Sequence, residues 1–182
     1  MKLRLFPLAL ATALLGAGPG LYAAAGPPDR DPAFHRLDFW LGDWEVVEAK
    51  TGAKAGTNHI EKILRGCAVL ENWTEADGSG EGKSLFYYNP ATGAWKQVWV
   101  TDAGFAKEKQ LVPADLPAGA VRFQGEVALP GSGTVLDRTT LTPLADGRVR
   151  QLIEISRDRG ATWQTNFDAY YAHPKSAAHA PG

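Results

Sequence analysis

Cysteine is almost absent from this 182-residue chain; Cys67 is the only one. A single thiol excludes an internal disulfide framework. The fold must then rest on its hydrophobic core, and a chain of this length can bury enough surface to do so. Basic clusters are missing too. Lys and Arg number 19 against 20 Asp and Glu, with no stripe that could track phosphates, so nucleic acid is not an expected partner. The four histidines, His35, His59, His173 and His179, have no ligand spacing to one another or to Cys67, and no zinc-type site is readable. There is no Gly-x-Ser-x-Gly elbow of a hydrolase. Gly82-Lys83-Ser84 imitates the end of a phosphate loop, but Asp77 stands where that loop needs glycine and a strand follows instead of a helix.

Long apolar runs are scarce as well. The one from Leu5 to Leu15 is too short to span a bilayer as a permanent anchor. It follows Lys2 and Arg4 and precedes Ala23-Ala24-Ala25, the order of a secretory signal with cleavage expected after Ala25. No cysteine follows it to carry a lipid, so the expected product is an exported, unanchored protein, periplasmic or extracellular. Removing the two basic residues leaves 17 against 20 acidic ones, a formal charge of −3. Residues 26–30 read as a linker, 31–173 as one domain and 174–182 as a frayed tail.

What is present is β-structure with punctuation. Asp31-Pro32 is a helix-start signal, and Phe34, Leu37, Asp38 and Leu41 fall at i, i+3, i+4 and i+7 before Gly42. A short N-terminal helix is therefore expected. Helical periodicity ends at Trp44. Ten β-rich runs follow, at about 44–48, 56–64, 68–74, 83–88, 95–101, 107–112, 120–128, 134–142, 147–156 and 163–172. Turn signals such as Thr51-Gly52, Asp77-Gly78, Asn89-Pro90 and Asp146-Gly147 separate them. Short links between about ten strands predict an all-β, antiparallel up-and-down barrel, which leaves no exposed edge.

Two hairpins take a register. A four-residue loop after Asn89 sets Asn89 opposite Ala94, Tyr88 opposite Trp95, Phe86 opposite Gln97 and Ser84 opposite Trp99. Their common face is aromatic with two polar groups; Leu85, Tyr87, Lys96, Val98 and Val100 take the other face. Ser156 to Trp163 matches the Ser-x-Asp-x-Gly-x-Thr-Trp pattern of an Asp-box, whose role is to build the turn: Asp158 bonds the backbone, Gly160 bends and Trp163 packs beneath. With Ser156 opposite Thr162, one face gathers Val149, Gln151, Ile153, Ile155, Trp163, Thr165, Phe167, Ala169 and Tyr171. Arg150, Leu152, Glu154, Gln164, Asn166, Asp168 and Tyr170 take the wet face. Cys67, in an apolar turn after Gly66, reads as a small buried thiol.

Gly42-Asp-Trp44 is similar to the Gly-x-Trp that opens barrels of the lipocalin and fatty-acid-binding kind, where the glycine bends the chain into the first strand and the tryptophan plugs one end. More broadly, the chain resembles the bacterial proteins grouped as domain-of-unknown-function family 1579. The matching pieces are Phe39 to Glu45, Gly66-Cys67 with Glu71 and Trp73, Ser84 to Asn89 and Thr92 to Val100, spread over most of 36–172. That resemblance implies a calycin-like β-barrel and brings no assigned activity or catalytic residue.

The leading expectation is a binding protein for a small apolar or amphipathic ligand, needing no cofactor. Its pocket would be lined by Phe86, Tyr88, Trp95, Gln97, Trp99, Gln151, Phe167 and Tyr171. Gln97 and Ser84 either bond each other or orient the ligand. Three alternatives stand beside it. A buried acid such as Glu71 could do acid–base work, with Glu154 less suited because it falls on the wet face. The barrel could be filled and serve as an envelope or interaction protein. Last, His173 could be an axial haem ligand, as in nitrobindin-like barrels.

Overall fold

The structure, a computed structural model, describes residues 31–174. The expected signal segment and linker, and residues 175–182 of the expected tail, lie outside the described residues. Ten strands alternate direction along the chain: β1 (Gly42–Glu48), β2 (Lys54–Ile63), β3 (Ala68–Glu75), β4 (Glu81–Asn89), β5 (Ala94–Thr101), β6 (Ala106–Leu111), β7 (Val121–Leu129), β8 (Gly133–Pro143), β9 (Val149–Ser156) and β10 (Gln164–Ala172). Each pairs with its sequence neighbour, and β1 pairs with β10, so the sheet closes into an antiparallel barrel.

The expected N-terminal helix is replaced by two 3₁₀ turns, Pro32–His35 and Asp38–Trp40. Asp31 caps the first, accepting from the Ala33 N–H at 2.9 Å. The buried residues here are Phe34, Leu37 and Trp40. They recur every third position, which is the 3₁₀ period and not the 3.6 of an α-helix. Asp38 stays outside, paired with Lys62 at 2.6 Å and His35 at 2.7 Å.

This segment stops one end of the barrel. Trp40 packs edge-on to Phe86 with ring centres 5.6 Å apart, and Phe34 to Tyr88 at 5.1 Å. The Trp95 indole N–H donates to the Ala33 carbonyl at 2.7 Å, and that of Trp44 to the Trp40 carbonyl at 2.9 Å. Above the stopper, Val46, Ile60, Val69, Phe123, Leu141 and Val149 complete an apolar core. Gly42, at φ +122°, makes the bend into β1, and a side chain there would press on the His173 ring.

The β4–β5 register is as expected, from Asn89 opposite Ala94 to Ser84 opposite Trp99. The β9–β10 register is not. Ile155 faces Gln164 instead of Trp163, and a bulge between Thr165 and Phe167 brings Gln151 opposite Ala169. The slip at the turn is one residue and the bulge adds another, so beyond it each side chain regains its expected face. Trp163 and Thr165, on the turn side of the bulge, leave the core face. Trp163 lies outside under the Arg138 guanidinium, 3.8 Å from the ring centre. Cys67 is half-buried instead of buried. It follows a turn in which Leu64, Arg65 and Gly66 all have positive φ and Leu64 points into solvent.

Candidate functional site

The apolar core fills only the stoppered half of the barrel. In the other half, polar and charged side chains join apolar and aromatic ones at the inward positions, around a cavity of about 310 Å³. Its lining includes Glu71, Gln97, Lys109, Thr139, Gln151 and Tyr171 deeper in, with Trp73, Trp99, Lys107, Ile153 and Phe167 nearer the mouth.

Glycines set the shape of the mouth. A Cβ at Gly82 would collide with the Trp99 ring, and one at Gly56 with the Trp73 ring and the Thr74 carbonyl. Each indole therefore lies flat over a bare stretch of the neighbouring strand instead of projecting across the opening. Trp73 also meets Phe167 edge-on, ring centres 6.3 Å apart.

The deep wall is a connected hydrogen-bond network. Glu71 is 4% exposed and accepts from Asn58 Nδ2 at 2.8 Å and from the Ser84 hydroxyl at 2.5 Å. Gln97 Nε2 donates to Ser84 Oγ at 3.1 Å. Asn58 Nδ2 also reaches the Tyr171 hydroxyl at 3.4 Å, and that hydroxyl donates to Gln151 Oε1 at 2.8 Å. Across the cavity, Asp137 from β8 takes both Lys107, at 2.9 Å, and Lys109 from β6; Lys109 donates to Thr139 as well, at 2.7 Å. Gly125 lies on the intervening β7. A side chain there would strike the Glu108 carbonyl, so its absence lets β6 approach closely.

Burial dominates the proton affinities. It raises the Glu71 carboxyl above its ordinary range, against the opposing hydrogen bonds of Ser84 and Asn58 and the charge of Lys109. It pulls Lys109 down to about 8, although Asp137 beside it opposes the change. The Tyr171 hydroxyl is pushed well up by burial and, secondarily, by the Glu71 charge.

No protein-family model and no curated protein matches the chain.

Of the eight residues expected in a pocket, Gln97, Trp99, Gln151, Phe167 and Tyr171 meet around this cavity. Phe86, Tyr88 and Trp95 do not line it. They share the inward face but sit toward the stoppered end, where Phe34, Trp40 and Ala33 cover them. Glu71 faces the cavity, whereas Glu154 is outside, held by Nε and Nη2 of Arg138 at 2.7 and 2.9 Å. His173 lies at the stoppered end, stacked on Trp44 at 3.9 Å and bonded to the Asp43 carbonyl at 3.1 Å, away from the cavity. Sequence reasoning missed Trp73, Glu75, Lys107, Lys109, Asp137 and Thr139, and it put Asn166, which lines the cavity at the β10 bulge, on the wet face. The available signal was an Asp at the inward parity of β8, between Val135 and Leu141, matched by inward lysines on β6.

Proposed function

We propose that this chain is an exported, calycin-like binding protein of the domain-of-unknown-function 1579 kind, holding a small amphipathic molecule in its barrel. The observation that carries the reading is a cavity of about 310 Å³ with aromatic side chains at the mouth and hydrogen-bonding groups in its depth. Such a division suits a ligand with an apolar body and one polar end. The cavity also weighs against the filled barrel. The placement of His173 gives a haem no ligand inside the cavity.

The test is titration of the purified protein with small aromatic alcohols and amides, followed by tryptophan emission and calorimetry. A saturable response that weakens in Trp99→Ala is expected. A response that never saturates, or is equal in that variant, refutes the reading. Native mass spectrometry of freshly purified protein would also show what it retains.

A second reading has its own observation. Glu71 and Lys109 share the cavity, and burial shifts both toward neutrality. Such a pair is suited to acid–base work. Turnover that disappears in Glu71→Gln while the fold is retained would establish it. Recovery of bound compounds unchanged after long incubation would remove it.

A further inference from the structure

The hydrogen bonds around Glu71 all run one way. Asn58 and Ser84 direct their protons at its two oxygens, and Gln97 directs its amide N–H at Ser84. A hydroxyl has one proton, and Ser84 has given it to Glu71, so the group that Gln97 turns toward Ser84 must be its NH₂. The carbonyl oxygen of Gln97 is thereby turned away from Ser84. It is sealed from solvent and has no partner, on a side chain that is 6% exposed and lines the cavity, so a ligand reaches it as the Gln97 amide shifts toward the cavity. An unsatisfied buried acceptor is costly, and a ligand that donates to it relieves that cost.

We propose that Glu71, acting through Ser84, fixes the Gln97 amide so that the pocket selects neutral ligands whose polar end donates a hydrogen bond, as an alcohol or an N–H amide does. The inference rests on the binding reading above and adds the ligand class. Glu71 is a positioning residue here, and Gln97 makes the contact. The charges on the lining agree with a neutral ligand. Glu71 and Glu75 line the cavity with Lys107 and Lys109, and both lysines already share Asp137. Two cations thus meet three carboxylates when Glu71 is ionised, which disfavours an anionic guest.

The same relay has a second setting. A protonated Glu71 donates to Ser84 Oγ, and Ser84 then turns its own proton to Gln97. The amide must rotate to present oxygen to Ser84, leaving its NH₂ as the free group. Selection then reverses toward ligands that only accept. The groups facing Glu71 are Asn58 of β2, Ser84 of β4, Lys109 of β6 and Tyr171 of β10, with Lys107 and Glu75 further along the lining and Asp137 behind the two lysines. Among the described residues no histidine lines that cavity, and burial raises the Glu71 carboxyl above the ordinary carboxylate range.

The experiment compares 2-naphthol, 2-methoxynaphthalene and 2-naphthoate, three probes of one shape. Calorimetry would be done on the intact protein, on Glu71→Gln and on Ser84→Ala, in neutral and mildly acidic buffer. Glutamine at 71 has no proton to gain or lose, so whichever end of its amide meets Ser84 the setting is the same at both pH values. The unaltered protein should prefer 2-naphthol to 2-methoxynaphthalene by about ten-fold at neutral pH, the preference shrinking on acidification. In Glu71→Gln the preference, whatever its size, should not respond to pH; a pH response equal to that of the unaltered protein overturns the relay. In Ser84→Ala, a small change that cuts the relay without touching Glu71, it should collapse with binding retained. If the probes bind equally well, and alike in all three proteins, the relay is overturned while the pocket stands. If none of the probes binds, the pocket reading falls and the relay falls with it.

Discussion

Replacing Gly82 with alanine should have opposite effects on stability in two backgrounds. The backbone at 82 is not in the positive-φ region, so alanine meets no conformational penalty there. Removing the glycine's freedom in the unfolded chain should by itself stabilise the protein by about 0.4–1 kcal/mol. Against this, the new Cβ collides with two atoms of the Trp99 ring and sits 3.1 Å from a third, Cε2. The indole cannot yield toward the strand it lies on, so it must swing into the cavity. Overpacking of this kind costs about 1–3 kcal/mol. Gly82→Ala alone should therefore be net destabilising, and the displaced ring should weaken 2-naphthol binding. In a Trp99→Ala background the collision is gone and the same substitution should stabilise. Urea midpoints of the four proteins, followed by far-ultraviolet circular dichroism so that loss of a tryptophan does not bias the signal, close a double-mutant cycle. An equal effect of Gly82→Ala in both backgrounds would refute the argument that the glycine exists to seat the indole.

Asp137→Ala leaves Lys107 and Lys109 together in the cavity without their shared partner, and should cost about 3–5 kcal/mol in urea unfolding at neutral pH. The unaltered protein should gain stability as pH rises from about 8 toward the ordinary lysine value of 10.5. Over that window the unfolded chain still binds the Lys109 proton and the folded one has released it; a flat profile there would contradict the burial of Lys109. Asp158 works in the other direction. Hydrogen bonds from Thr162 and Ser156 hold it down to about 2 against 3.8, so its contribution is present above 3.8 and lost as pH falls through about 2; Asp158→Ala should flatten that part of the acid-unfolding curve. Trp95→Phe removes the bond to the Ala33 carbonyl and should cost about 0.5–1.5 kcal/mol, with no effect on the binding of 2-naphthol.

Strand positions were legible because alternation and turn residues report a local preference, and the β4–β5 register followed from one loop length. Alternation says which side chains point inward, but not how far along the axis they lie. That is why Phe86, Tyr88 and Trp95 were grouped with Gln97 and Trp99, although the first three meet the N-terminal stopper and the other two meet the cavity. Depth depends on how the strands are staggered around the closed barrel, a property of all ten together. The 3₁₀ segment was misread for a simpler reason. Over so few turns a period of three and one of 3.6 place nearly the same residues on one face. The bulge in β10 has no sequence signal stronger than Asn166 itself. The ion pair of Lys109 and Asp137 joins strands separated by β7, beyond the reach of any hairpin argument.

The seam between β1 and β10 sets an order of events as well as a shape. Val46 pairs with Tyr171, so the sheet cannot close until nearly the whole domain is available. Every other strand pair is a neighbouring hairpin and can form locally. The expected kinetics are rapid assembly of an open, curled sheet, then a slow closing step limited by the entropy of joining distant strands. Until that step, β1 and β10 are two unpaired edges of complementary register. A chain that meets another copy at that moment can close with its partner's last strand in place of its own. An exchanged dimer formed at high refolding concentration, with the same cavity in each half, is the product this topology favours.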